Sequence, residues 1–153
     1  MTVAYLEREA PAPEEQIERL ERRVGGRLPD EYRGFLRQQD GGRLADNTDA
    51  VKEIFGLGSN VPEFASLWHK LDVYNGRVPE WLLPVAEDEF GNLFAISTRD
   101  DDFGSVWFWD HEEEADEGEP PTEDNLRLRA PDWQSFLTSL EPLELDESDY
   151  GAE

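Results

Sequence analysis

Apolar residues recur at helical spacing in four stretches of the chain and gather into short runs between them. Ile17, Leu20 and Val24 repeat every three to four positions, which predicts a helix over residues 13–24 with one buried face. Glu14 and Glu15 at its start and Arg22 and Arg23 at its end suit the helix dipole. Glu15 and Arg19, and Glu18 and Arg22, have the i,i+4 spacing of helix ion pairs. Gly25-Gly26 supplies the stop. A second helix opens at Pro29, presents Tyr32, Phe35 and Leu36, and ends at Asp40-Gly41-Gly42. Phe64, Leu67, Trp68 and Leu71 set a third helix over 62–74, and Trp133, Phe136, Leu137 and Leu140 a fourth after Pro131.

The runs at 51–55, 83–86, 93–97 and 106–109 read as strands, with 126–128 as an added edge and 43–50 as a polar loop. Phe90-Gly91-Asn92 and Asp102-Phe103-Gly104 are short, glycine-containing connections, which favour an antiparallel meander. The expected fold is therefore α+β: an antiparallel-rich central sheet covered by N-terminal, middle and C-terminal helices. At 153 residues the chain has room for one core. The expected division is a single domain over 1–140, with an acidic loop at 110–125, followed by an acidic tail over 141–153.

Charge changes this picture by its placement. Thirty-seven Asp and Glu against 14 Lys and Arg give a formal charge of -23. Eight Phe, five Trp and four Tyr are too many for a disordered acidic chain. Residues 1–99 carry a net -6, residues 100–126 a net -12 with no Lys or Arg, and residues 127–153 a net -5. A like-charge block of this density repels itself, so 110–125 is expected to be a long exposed loop. The overall charge argues against direct nucleic-acid binding and against an anionic membrane surface. No apolar run has the length of a membrane span, no signal peptide is visible, and there is no cysteine, so the default location is cytoplasmic.

Enzyme motifs fail one by one. Gly56-Leu57-Gly58-Ser59-Asn60-Val61 begins like a dinucleotide fingerprint but has Val61 at the third glycine. The lysines, Lys52 and Lys70, fit no phosphate loop, and two histidines without cysteine make a zinc site improbable. Asp100, Asp101 and Asp102 before Phe103-Gly104 faintly resemble a calcium loop. The glycine comes one position early and no glutamate closes it, so a solvated acidic turn is the reading. No catalytic group, metal or cofactor is expected. Carboxylate pairs of the kind that hydrolyse glycosides are too abundant here to be informative.

Trp107 and Trp109 alternate with Phe108 and share one face of a strand. Burial under a helix is the first reading of that face, and a partner surface beside the acidic loop is the second. Trp68 and Trp133 fall on helical stripes, and Trp81 in a loop.

The ordered set of local patterns resembles a known family. Ile17-Glu18-Arg19-Leu20-Glu21, then Gly26-Arg27-Leu28-Pro29-Asp30-Glu31-Tyr32-Arg33-Gly34-Phe35-Leu36, then Asp40-Gly41-Gly42 are similar to the N-terminal signature of the SUKH superfamily. The nearest branch is the one named for the fungal cell-wall-assembly regulator. Leu83-Pro84-Val85-Ala86-Glu87-Asp88 through Gly91-Asn92-Leu93 resembles its strand, acidic hairpin and strand. Gly104-Ser105-Val106-Trp107 resembles the next strand, and Trp133-Gln134-Ser135-Phe136-Leu137 the closing helix. The resemblance spans about Pro13 to Leu140 and omits 43–60 and 110–125. It implies a non-enzymatic binding domain. Bacterial members are thought to be immunity proteins that neutralise a cognate toxin, often a nuclease, while fungal relatives are linked to cell-wall synthesis and signalling, so a regulatory or scaffold module is the alternative. It assigns structural roles to Gly26, Leu28, Pro29, Tyr32, Phe35, Leu36, Gly41, Gly42, Pro84, Gly91, Asn92, Trp133, Phe136 and Leu137.

The charge pattern suits a basic protein partner such as a toxin domain, because a nuclease carries a basic cleft for its polyanionic substrate. The candidate partner surface is one acidic edge: Glu87, Asp88, Asp100, Asp101, Asp102, Asp110, Glu112, Glu113, Glu114, Asp116 and Glu117, with Trp107 and Trp109 beside it.

Overall fold

A computed structural model describes residues 4–143; the expected acidic tail lies outside the described residues from 144 onward. Seven strands form one sheet in sequential order: β1 (Tyr5–Arg8), β2 (Gly42–Leu44), β3 (Val51–Ile54), β4 (Leu82–Asp88), β5 (Leu93–Ser97), β6 (Val106–Trp109) and β7 (Leu126–Ala130). Every neighbouring pair is antiparallel. Four helices accompany it: α1 (Glu14–Val24), α2 (Asp30–Gln38), α3 (Leu67–Val73) and α4 (Trp133–Ser139). The fold is the α+β meander that the alternation of apolar runs predicts.

Two strands depart from the sequence reading. β1 was not expected at all, and β2 falls in the stretch read as a polar loop. Three residues are too few to show a period, and the centre of β2 is Arg43, which reaches Glu53 of β3 at 3.8 Å. Cross-strand pairing, rather than composition, makes these segments strands.

The predicted third helix is also interrupted. Glu63–Ala65 is a 3₁₀ turn and Ser66 is extended before α3 begins. The break lets the chain lie against Gly56: Gly56 N–H donates to the Ala65 carbonyl at 2.9 Å, and Leu67 N–H to the Gly56 carbonyl at 2.8 Å. Ser66 Oγ then accepts from His69 N–H as a cap. Phe64, on the wrong side of the break, is 53% exposed.

β5 shows why both faces of the sheet are covered. Phe94 and Ile96 point one way, with Phe94 5.1 Å from Phe136 of α4 and 5.5 Å from Phe108. Leu93 and Ala95 point the other way, opposite Trp109 and Trp107. Leu28, Tyr32, Leu36, Trp133, Phe136 and Leu137 are buried in the core, and Phe35 is half-buried against the edge of Trp133. Pro84 is buried within β4, and Gly41 and Gly91 adopt the left-handed φ values of +77° and +89°. Gly26 and Pro29 flank the α1–α2 connection.

The i,i+4 pairs expected on α1 do not form. Arg19 instead lies over the Trp68 ring of α3 at 4.1 Å. Glu14 is taken by α2, accepting from Arg37 Nε at 3.2 Å and from its terminal nitrogen at 2.8 Å, with Arg33 at 3.2 Å. For Arg19 an aromatic face wins over an exposed intrahelical pair worth only about 0.3–0.5 kcal/mol; nothing in the structure explains the missing Glu18–Arg22 pair.

Candidate partner-binding edge

The meander decides which acidic residues meet. The β4–β5 turn and the 110–125 connection leave the sheet at one end, and the β5–β6 turn at the other. Asp100, Asp101 and Asp102 therefore lie a strand's length from Glu87, Asp88 and the long loop. The single acidic edge expected from sequence is two clusters bracketing the β6–β7 ladder.

Three of the thirteen candidate residues do not reach the surface. Glu87 is buried beneath α3, with its carboxylate 3.5 Å from Lys70 Nζ. Asp88 is buried in the hairpin turn it holds: it accepts from Phe90 N–H at 2.8 Å, Asn92 N–H at 2.9 Å and Asn92 Nδ2 at 3.0 Å. Trp109 is fully buried, with its ring 5.5 Å from Tyr74 at the end of α3. These are corrections to the candidate surface: a buried, internally paired carboxylate offers a partner neither charge nor a free acceptor.

The long loop is pinned at two points. At its neck Asp110 N–H donates to the Asn125 carbonyl at 3.0 Å, and Asn125 Nδ2 donates to the Asp110 carbonyl at 2.9 Å. The Asp110 carboxylate also accepts from Glu112 N–H, capping the 3₁₀ turn His111–Glu113. Further on, Arg77 grips Glu114 with two hydrogen bonds of 3.1 and 2.8 Å. These hydrogen bonds raise the Arg77 pKa further above its ordinary value. A cleft of about 520 Å³ separates the loop from Gly76 and Arg77. Glu112, Glu113, Asp116 and Glu117 are exposed, and Glu112, Asp116 and Glu117 line this open cleft. Of the twelve acids in 100–126, Asp102 and Glu114 make ion pairs within 4 Å among the described residues.

At the opposite end Asp102 folds back on its own hairpin. Arg99 donates to it twice, at 3.1 and 2.7 Å, and Ser97 Oγ donates to the same carboxylate. Asp102 is thus a bonded part of a turn, and Asp100 and Asp101 remain exposed. The Arg99 guanidinium lies 3.4 Å over the Trp81 ring, and Trp81 meets Trp107 edge-on at 5.5 Å. Trp107 Nε1 donates to Ser105 Oγ at 2.9 Å. Trp107 is half-buried, and its cross-strand neighbour Leu128 is 60% exposed.

The hydrogen bonds from Arg99, against a smaller opposing cost of burial, hold the Asp102 carboxyl below the ordinary carboxylate range. A lowered native pKa stabilises the fold above the unfolded value near pH 4 and loses that contribution as pH falls through the native value. Asp102→Asn is therefore expected to lower stability most at neutral pH. The gap to wild type should narrow on acidification below about pH 4, read by urea unfolding at several pH values. A gap independent of pH would show that the carboxylate's charge is not what Arg99 and Ser97 recognise.

Arg77, Arg99, Asn125 and Leu128 belong to this region without a signal in the sequence as site residues, and Trp81, placed in a loop from sequence, joins them. Arg77 and Glu114 are too far apart in the chain to be paired by eye. Among the described residues no helix is long and apolar enough to cross a membrane, and no three His, Asp or Glu side chains converge as a metal site.

Comparison with known proteins adds two findings. The family model described as SMI1 / KNR4 family (SUKH-1) matches residues 11–139. The "SPbeta prophage-derived uncharacterized protein YokK" of Bacillus subtilis (strain 168) is 28% identical over an alignment of 165 residues, which covers 90% of this chain and 80% of the relative.

Proposed function

The chain belongs to the SMI1/KNR4 family (SUKH-1), and from that premise we propose that it is an immunity-type binding protein that neutralises a basic toxin domain by occupying its active cleft. Membership of this family is generally associated with immunity proteins, which are generally non-catalytic. The observation that carries the proposal is the acidic segment 100–126, in which ten of twelve carboxylates make no ion pair within 4 Å among the described residues. Those on the pinned 110–125 loop, Glu112, Glu113, Asp116 and Glu117 among them, present a fixed negative field. A nuclease cleft built for phosphates is positive and draws such a field in. Charge complementarity then speeds encounter, and bulk seated in the cleft excludes substrate.

The test takes a basic nuclease domain that co-purifies with the chain and measures association by stopped-flow fluorescence. The association rate should fall steeply between low and high salt. Glu112→Gln with Glu113→Gln should slow it roughly threefold or more, with the thermal midpoint shifted by no more than a degree or two, since both side chains are exposed. An association rate insensitive to salt and to both substitutions would overturn the reading.

A further inference from the structure

We infer that the partner docks by strand addition: an extended segment pairs with the free outer edge of β7 as an eighth strand. The inference rests on the binding reading above and says where and how contact is made. β7 pairs only with β6 among the described residues, so its far side is one of the two ends of the sheet. The backbone hydrogen bond from Asp110 N–H to the Asn125 carbonyl turns Asn125 toward β6 at the neck of the ladder. Antiparallel alternation then turns the backbone of Arg127 inward and those of Leu126 and Leu128 outward. Leu126 N–H is already used by the Glu123 carbonyl at 3.2 Å. By the same alternation the N–H and carbonyl of Leu128, opposite Trp107, face away from β6 and present a donor and an acceptor together.

Sheet edges are ordinarily blunted by cover, proline or a charge on the exposed face. A bulge is a further such device, and the β6–β7 register shifts between Val106 and Trp107, but from Leu128 to Leu126 the ladder is regular. Among the described residues α4 lies on one face, where Arg129 pairs with Asp49 and lies over Phe136 at 5.5 Å. On the other face Leu128 is 60% exposed beside half-buried Trp107 and Trp81. Acidic clusters stand at both ends of the ladder, Asp110 to Asp124 at one and Asp100 to Asp101 at the other. An apolar centre with a charged rim is the layout of a protein interface.

A second copy of the chain fits this edge badly. Symmetric antiparallel pairing centred on Leu128 brings together two copies that each carry a net charge of -23, with their acidic clusters at both ends of the joined edge. A complementary segment instead puts an apolar side chain opposite Leu128, uncharged polar side chains beside Arg127, and lysine or arginine at both flanks. That is an extended strand of a basic protein, recognised by backbone bonds for affinity and alternate side chains for selectivity.

The probe is a synthetic peptide with these features, KKTVTVTKK, titrated onto the full chain. Its affinity should fall with salt, and the Leu128 amide should become protected from hydrogen exchange. Leu128→Pro removes the outward N–H and leaves the β6 ladder intact, so it should weaken binding roughly tenfold or more. Circular dichroism should remain that of the wild type. Should that variant misfold, Leu128→Lys keeps the backbone, sets a like charge against the peptide, and should weaken binding as much. Absence of binding, no protection at Leu128, or wild-type affinity in a folded Leu128 variant would overturn the inference. Salt-sensitive binding that survives both substitutions would leave the acidic surface as the site and remove strand addition. Protection at Leu128 without salt dependence would keep strand addition and remove the steering.

Discussion

Replacing Trp133 by alanine is expected to destabilise the protein by about 3–5 kcal/mol. Trp133 is 1% exposed and opens α4. Its ring meets Tyr32 edge-on at 5.2 Å, Phe35 edge-on at 5.2 Å and Phe136 at 5.5 Å. One side chain therefore joins α2 to α4, and Phe136 carries the contact on to Phe94 of β5. The joint is fastened polar-side by Glu31, whose carboxylate accepts from Gln134 N–H at 3.0 Å, and by Asp132, which caps α4 through Ser135 N–H at 2.7 Å. Removing the indole leaves a cavity that two helices and a sheet cannot all close. The indole N–H has no hydrogen-bond partner among the described residues, so Trp133→Phe should lose far less than alanine. Urea unfolding of the pair checks both statements. An alanine variant within about 1 kcal/mol of wild type would show that the aromatic cluster is not the joint between the layers.

Legibility of the fold followed element length. Helices of seven to eleven residues with an apolar stripe, and strands such as 93–97, declare themselves by period. β1 and β2 do not, because four and three residues built around charged side chains are strands only through their neighbours. The site was legible in part. Local density placed the excess charge at 100–126, and alternation correctly put Trp107 and Trp109 on one face. Burial then separates them: Tyr74 packs on Trp109, which is fully buried, whereas Trp107 beside Trp81 stays half-buried. Topology separates Asp100–Asp102 from the long loop, and long-range pairs, Lys70 with Glu87 and Arg77 with Glu114, withdraw two glutamates from the free acidic set. None of these distances exists in a linear pattern.

Gly41→Ala is expected to cost about 2–5 kcal/mol, combining a left-handed backbone penalty of about 1–2 kcal/mol with overpacking of about 1–3 kcal/mol. Gly41 has φ +77°, and an added Cβ would overlap the Ile54 carbonyl oxygen and sit 2.8 Å from the carbonyl carbon of Phe55. These are backbone atoms of β3 and its exit, so no side chain can rotate away. The preceding residue raises the stakes. Asp40 is buried, and its carboxylate accepts from Leu57 N–H at 2.6 Å and Gly58 N–H at 2.7 Å. The glycine pair that resembles a nucleotide loop in sequence is thus a cradle for this carboxylate, and a shift at Gly41 misaims it. Gly25→Ala isolates the two contributions: Gly25 has φ +80° with nothing within 4 Å of an added Cβ, so it should show the backbone penalty alone, about 1–2 kcal/mol. Chemical denaturation of both variants gives the difference directly, and equal losses would mean that the close approach of β3 is relieved without cost. Because this turn leads from α2 into β2, with four strands between β2 and β7, the folded Gly41→Ala protein should associate with the proposed basic partner at the wild-type rate even as its unfolding midpoint falls.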